Sequence, residues 1–336
     1  MERQAVLVTG GAGYLGSVLA GKLCAAGHRV TVVDNHATSP RRAPSPGIRH
    51  VEADIRDVGD WSAALRGIDA VVHLAAIVGD PACEVDHDLT WETNYLATVG
   101  LVGACRAAGV GRFVLASSCS NYGESANERA RTLSPMQPKS LYAQSKIYAE
   151  HHVLSSRCPS FRTVILRLAT LYGLSPRMRF DLAVNTMTAM AVQQRRVVVH
   201  GGEQWRPFLH VEDAAEAFAL AVGVPAGGSS GGIYNCGSNG ENYRLRDIGE
   251  MVAAVVPGAR LEVTPSATDP RDYQVDFTSS RSGLGLRPGR SVRDGVAEMA
   301  AALRHGRFQD FTDPAYSNLA LVRAAAGGRQ PAMAAA

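Results

Sequence analysis

Short apolar runs alternate with longer stretches of helical periodicity through the first half of the chain. The runs cover residues 5–9, 29–33, 48–52, 70–74, 112–117 and 163–168. Most of them leave neither face polar, which is the pattern of parallel strands covered on both sides by helices. Strand–helix–strand connections are right-handed crossovers, so the pattern predicts a doubly wound parallel sheet of the Rossmann type over residues 1–170. Beyond about residue 170 the pattern is less regular. Short strands are expected at 197–200, 232–236 and 260–263, and helices at 211–222, 244–256 and 291–305. This half reads as a smaller mixed α/β domain over 171–323, with room for the chain to return to the first sheet. Residues 225–232 are Gly/Ser-rich and read as a loop. Residues 324–336 have no amphipathic pattern and read as a flexible tail.

Composition narrows the class. The chain has 336 residues, 46% of them hydrophobic and 19% charged, as in a folded globular protein. The net charge is only +3. No block of Lys and Arg forms a phosphate-tracking stripe, so nucleic acid is not an expected partner. No apolar stretch approaches the ~18 residues needed to span a bilayer, and no charged-then-apolar leader is visible. A cytoplasmic protein without a membrane partner is expected. Cys24, Cys83, Cys105, Cys119, Cys158 and Cys236 are scattered without a Cys-x-x-Cys pair. They suggest neither a disulfide framework nor a metal knuckle, and a reducing compartment suits them.

The run Thr9-Gly10-Gly11-Ala12-Gly13-Tyr14-Leu15-Gly16 follows the first strand and opens a helix. Gly10 permits the tight turn, Gly13 lets backbone approach a pyrophosphate, and Gly16 permits close helix–strand packing. An anion there meets free N–H groups at the positive end of the helix dipole. Asp34, with Asn35 beside it, ends the second strand 18 residues past Gly16. A carboxylate at that place accepts from both ribose hydroxyls and repels a 2′-phosphate, so NAD is the expected cofactor. Arg41 and Arg42 read as solvated loop charges. Asp54-Ile55 after the third strand is placed to meet the adenine, and a helix-capping aspartate is the close rival reading, since Asp57 also begins a helix pattern.

Gly-x-x-Gly-x-x-Gly, followed by Ser117-Ser118 and Tyr142-x-x-x-Lys146, resembles the extended short-chain dehydrogenase/reductase superfamily. The chain is most similar to its nucleotide-sugar epimerase/dehydratase branch, over about residues 5 to 305. His73-Leu74-Ala75-Ala76 matches the branch's cofactor-contacting turn, Asn94 a helix asparagine, and the run from Arg206 to Asp213 a second-half signature. The resemblance implies a nucleotide-diphosphate sugar as substrate and tightly held NAD recycled in each turnover. It also implies a homodimer through a four-helix interface built from helices 89–108 and 141–155.

Tyr142 and Lys146 stand four residues apart on a predicted helix, hence on one face. Oxidising a carbinol carbon requires removing its hydroxyl proton, and a free phenol of pKa about 10 is a poor base at neutral pH. A neighbouring ammonium and an oxidised nicotinamide both favour the phenolate. Lys146 is therefore expected to lower the pKa of Tyr142 and, by resemblance, to hold the nicotinamide ribose. Ser118 at the end of the fifth strand is expected to bond the same substrate oxygen. In the family's 4,6-dehydratases the next two residues are Asp and Glu, which move protons at C5 and C6. Here they are Cys119 and Ser120. Both are candidate site residues, and Cys119 either faces the substrate or packs behind the strand. The absence of a carboxylate pair at these positions favours 4-epimerisation. A dehydratase or a 4-ketosugar reductase is the alternative on the same scaffold, and a catalytically silent dinucleotide sensor is an alternative of another class.

Arg206 and Arg271 are expected on the substrate's phosphates, where a guanidinium fork suits two oxygens; the rival reading is a surface ion pair. Asn185 is expected to donate to the same diphosphate. Arg177 and Arg179 read equally as flanks of a phosphate site or as an exposed turn. His210 reads as a structural hydrogen-bonding residue, and Trp61, Trp91 and Trp205 as packing residues. Thr170 stands where many 4-epimerases have a substrate-contacting asparagine. The polar loop 77–89, with Asp80, Cys83, Glu84, Asp86, His87 and Asp88, is expected beside the nicotinamide and as a source of sugar choice, not as a metal site.

Overall fold

Seven parallel strands form the centre of the computed structural model, which describes residues 3–41, 45–125, 128–223, 232–265 and 269–327. They are β1 (Ala5–Thr9), β2 (Arg29–Asp34), β3 (Ile48–Glu52), β4 (Ala70–His73), β5 (Arg112–Ser118), β6 (Arg162–Leu168) and, after three strands that lie elsewhere, β10 (Ile233–Cys236). Their spatial order is β10–β6–β5–β4–β1–β2–β3. The chain leaves β1 toward β2 and β3, then crosses back to β4 on the other side of β1. That reversal opens a crevice at the carboxyl ends of β1 and β4, where such sheets bind ligands.

Side-chain alternation along the strands separates two cores. Val6, Val8, Val30, Val32, Val72 and Val114 face α1 (Tyr14–Ala25) and the helix Val211–Gly223. Leu7, Val33, Val71, Phe113, Leu115 and Ile165 face α2 (Ala97–Ala107) and α3 (Leu141–Ser155). This is why both faces of the runs had to be apolar. The helix Val211–Gly223 packs on α1, so the chain returns to the first layer twice, with this helix and with β10.

A third core holds the smaller half together. Val184, Met187, Val197, Phe208, Ile248, Val252, Val296 and Ala300 meet there. They come from α4 (Ala183–Gln194), α6 (Leu245–Val255) and α7 (Val292–Arg304) and from two small sheets, the helix Val211–Gly223 of the first layer being α5. β8 (Arg196–His200) pairs with β12 (Arg260–Thr264). β9 (Trp205–His210) lies between β7 (Thr170–Tyr172) and β11 (Asn242–Arg244). The sequence pattern missed β9 because Pro207 sits within it, and proline ordinarily demotes a strand.

Two expected elements differ. The helix expected over 89–108 is divided into His87–Trp91, a π-helical turn Glu92–Leu96, and α2. The tail expected from residue 324 is helical at its start, since α8 (Asn318–Gly327) runs through it. Residues 328–336, the segment 224–231 that makes up most of the expected Gly/Ser loop, and Arg42 lie outside the described residues. Among the described residues no helix is long and apolar enough to cross a membrane.

Candidate active site

One cavity of about 630 Å³ runs along the crevice, from Asp34 past the glycine loop and the end of β5 to Arg206 and Arg271. Its floor is the loop between β1 and α1. Gly10 has φ +71°, and a Cβ there would lie 2.7 Å from the Ala75 nitrogen. A Cβ on Gly16 would lie 2.1 Å from the Gly10 oxygen. Only glycine lets the loop, the turn after β4 and α1 approach this closely. Gly10, Gly13, Tyr14, Leu15 and Gly16 all line the cavity. The Tyr14 hydroxyl is turned into the scaffold, donating to the Gly173 oxygen at 2.6 Å.

Asp34 is oriented by the backbone. Its carboxylate accepts from the amides of Ala12 at 3.0 Å and His36 at 2.9 Å. Asp54 answers both readings given to it: it lines the cavity with Asn35 and Ile55, and it caps the turn Ile55–Asp57 by accepting from the Arg56 amide. Burial alone would raise its pKa. Hydrogen bonds from Arg56 and Asn35 overcome that and hold the carboxyl at about 2. Leu74, Ala75 and Ala76 form the opposite wall. Glycines a Cβ would fill, a helix N-terminus and a fixed carboxylate on the ribose side fit NAD.

Asn94 corrects one expectation. It is 1% exposed and absent from the cavity wall. Its side chain accepts from the Ile77 amide at 2.8 Å and donates to the Ile77 oxygen at 3.0 Å and Ser145 Oγ at 3.2 Å. It holds the loop after Ala76 in place from behind the cavity wall. The π-helical turn that contains it is what brings it there.

Ser118, Ser120, Tyr142 and Lys146 meet in the cavity. Ser140 caps α3, accepting from the Ala143 amide, and so fixes the first turn that carries Tyr142. Lys146 Nζ is 5.8 Å from the Tyr142 ring centre. Burial pushes the Tyr142 phenol above its ordinary pKa, Cys83 and Asp80 add to this, and Arg179 and Ser118 oppose it. Burial lowers Lys146 to about 8. In the protein alone the Tyr142 phenol is therefore shifted upward, opposite to the lowering expected of Lys146, and burial is the largest cause.

Cys119 and Asn185 are corrections too. Cys119 is fully buried behind β5, its thiol donating to the Arg167 oxygen at 3.3 Å, and burial raises its pKa well above the ordinary thiol range. It packs behind the strand, while Ser120 Oγ reaches the cavity 2.8 Å from Ser118 Oγ. Asn185 is buried, with bonds to the Gly173 amide, Tyr14 Oη and the Arg179 oxygen. It braces the scaffold and does not line the cavity.

Arg206 and Arg271 line the far end, clasped by carboxylates. Asp269 takes Arg206 Nη2 at 2.8 Å and Arg271 Nη2 at 2.8 Å, and Asp80 takes Arg271 Nη1 at 2.5 Å. Asp80 also accepts from Ser140 Oγ at 2.8 Å, joining this network to the cap of α3. Arg177 and Arg179 are 3% and 7% exposed and line the cavity, so the exposed-turn reading does not hold. Asp269, Thr38, Asp181 and Asn318 also line it without having been singled out. No spacing rule marks them, because strands and helices distant in sequence assemble them. His210 is structural, bonded to Glu298 at 2.8 Å, and Trp61, Trp91 and Trp205 lie outside the cavity wall.

The family model of the NAD dependent epimerase/dehydratase family matches residues 6–237. UDP-glucose 4-epimerase of Corynebacterium glutamicum is 30% identical over 304 residues, covering 84% of this chain and 90% of that protein. UDP-glucuronic acid decarboxylase 1 of Arabidopsis thaliana is 27% identical over 320 residues, covering 90% of this chain and 71% of that protein. Among solved structures, MoeE5 in complex with UDP-glucuronic acid and NAD superposes with a TM-score of 0.80 at 29% identity, covering 90% of this chain and 99% of the other.

Proposed function

The chain belongs to the NAD dependent epimerase/dehydratase family, and from that premise we propose that it is a nucleotide-sugar 4-epimerase. The observation that carries this reading is the set of groups around Tyr142. Ser118, Ser120 and Lys146 line the same stretch of cavity, while the two positions after Ser118 carry a buried thiol and a hydroxyl instead of carboxylates. Bound NAD supplies reversible hydride exchange at the sugar carbon and, when oxidised, a positive charge beside the phenol. Tyr142 takes the C4 hydroxyl proton and later returns it. Ser118 donates a hydrogen bond to the same oxygen and so holds C4 in reach. Lys146 offsets the phenolate charge and, by position, binds the nicotinamide ribose. The sugar ring then turns over within the cavity, and its other face is reduced.

The substrate's diphosphate is placed against Arg206 and Arg271, displacing Asp269 and Asp80 as their partners. Asp80 lies close enough to Tyr142 to raise the phenol's pKa. Ser140 Oγ remains its donor when Arg271 turns to the phosphates. The proposal includes a homodimer through α2 and α3.

The test is incubation of the purified protein and NAD with UDP-, TDP- and GDP-hexoses, followed by mass spectrometry and NMR. An unchanged mass with inversion at C4 supports epimerisation. Loss of water or of carbon dioxide would replace it with a dehydratase or decarboxylase. Tyr142→Phe should lower turnover about 10²–10⁴-fold with NAD still bound; undiminished turnover removes Tyr142 from the reaction.

A further inference from the structure

A bridge of side chains joins the loops on the two sides of the crevice. Arg177 donates to the Thr38 oxygen through Nε at 2.9 Å and Nη2 at 2.5 Å. Its Nη2 also donates to Asn318 Oδ1 at 2.7 Å. Asn318 Nδ2 continues to the Val78 oxygen at 3.2 Å. Thr38 belongs to the loop after β2 and Val78 to the loop after β4, so the bridge joins the two sides of the reversal point. Asn318 is the first residue of α8, is 7% exposed, and is itself anchored by its amide to Asp181 Oδ2 at 2.8 Å. One turn on, Val322 packs on Ile77, Ala82 and Cys83, and Ala325 and Ala326 face the cavity.

A second observation is independent of the bridge. Arg177 Nη1 is buried and has no hydrogen-bond partner among the described residues, although Arg177 lines the cavity. A buried guanidinium N–H left unpaired is costly, and an anion is its natural complement. Burial already lowers Arg177 to about 10.

We propose that α8 is a strap closed over the bound dinucleotide, and that Asn318 is a positioning residue that presents Arg177 Nη1 to the dinucleotide's diphosphate. A dinucleotide reaching from Asp34 to Lys146 passes under the bridge, and it leaves only when the contact of Asn318 with Arg177 or Val78 opens. The inference rests on the NAD cofactor and not on the epimerase reading, so it stands whichever sugar reaction the protein performs.

The test uses the full chain purified with its NAD. Release is followed as exchange of bound NAD for excess etheno-NAD, and equilibrium affinity is measured for NAD and for adenosine, which lacks the diphosphate. Asn318→Ala should speed exchange and weaken NAD about tenfold, as expected for losing a charge-assisted hydrogen bond, and leave adenosine binding unchanged. Val322→Ala should speed exchange by loosening the strap through its apolar contact alone. Arg323→Ala, exposed on the same helix, should change nothing. Unchanged exchange in both Asn318→Ala and Val322→Ala would overturn the proposal. So would an equal loss of adenosine affinity in Asn318→Ala, or an equal effect of Arg323→Ala.

Discussion

Tyr142 and Lys146 are legible as residues, but their charge states are not. The spacing places them on one face, and chemistry then pairs an ammonium with a phenolate. In the fold both are desolvated, and burial raises the one and lowers the other to about 8. Lys146 thus carries a stability cost with a definite pH dependence. Its pKa falls from 10.5 in the unfolded chain to about 8 in the folded protein. Between those values the unfolded state binds more protons, so stability rises with pH across that window. Below pH 8 the full cost applies, about 3 kcal/mol. Lys146→Met should therefore raise the urea midpoint of cofactor-free protein at pH 7, and the gain should fade toward pH 10.5. Equal midpoints at pH 7 would show that Lys146 is already compensated. Cys119 shows the same divide: sequence places it beside Ser118, and only the tight turn that follows β5 says that it faces the core.

At the scale of elements, α3 is held by its third turn. Tyr142, Lys146 and Glu150 follow at four-residue intervals on one face. Glu150 is 1% exposed and meets Arg167 of β6, 3% exposed on its side chain, at 2.6 Å. Ser117 Oγ and Asn121 Nδ2 also donate to Glu150, at 2.5 and 2.9 Å. This pair locks α3 to the end of the sheet that carries Ser118. Glu150→Gln should cost about 3–5 kcal/mol in urea unfolding, because it leaves a buried guanidinium without its charge partner. Adding Arg167→Met should recover part of the loss. If the double variant is as unstable as the two single losses summed, the residues are not coupled. The Tyr-x-x-x-Lys spacing reveals the first two members of this face. Glu150 is invisible to it, since a helix carboxylate ordinarily reads as a solvated surface group.

Across the whole molecule, the face expected to form a dimer carries exposed apolar side chains. Leu96 is 56% exposed and Tyr148 54% exposed. Tyr148 lies edge-on to Trp91 and Tyr95, their ring centres 5.3 and 5.7 Å away. Leu96→Glu with Tyr148→Glu should turn a dimer into a monomer in light scattering coupled to size exclusion, with the Lys146 environment unchanged. A wild-type chain that is monomeric at micromolar concentration would remove the dimer. The sequence alone determined the doubly wound sheet, the glycine loop with Asp34, and the Ser118, Tyr142 and Lys146 set. Each depends on local periodicity or on residues a turn apart, and such relations are written along the chain. The tertiary structure alone decided that Asn94 and Asn185 brace the walls and that Asp80 and Asp269 clasp the arginines. It alone carried a helix from the far end of the chain across the crevice. These contacts join residues up to 240 positions apart; their energies depend on distance and burial in space, which no local pattern encodes.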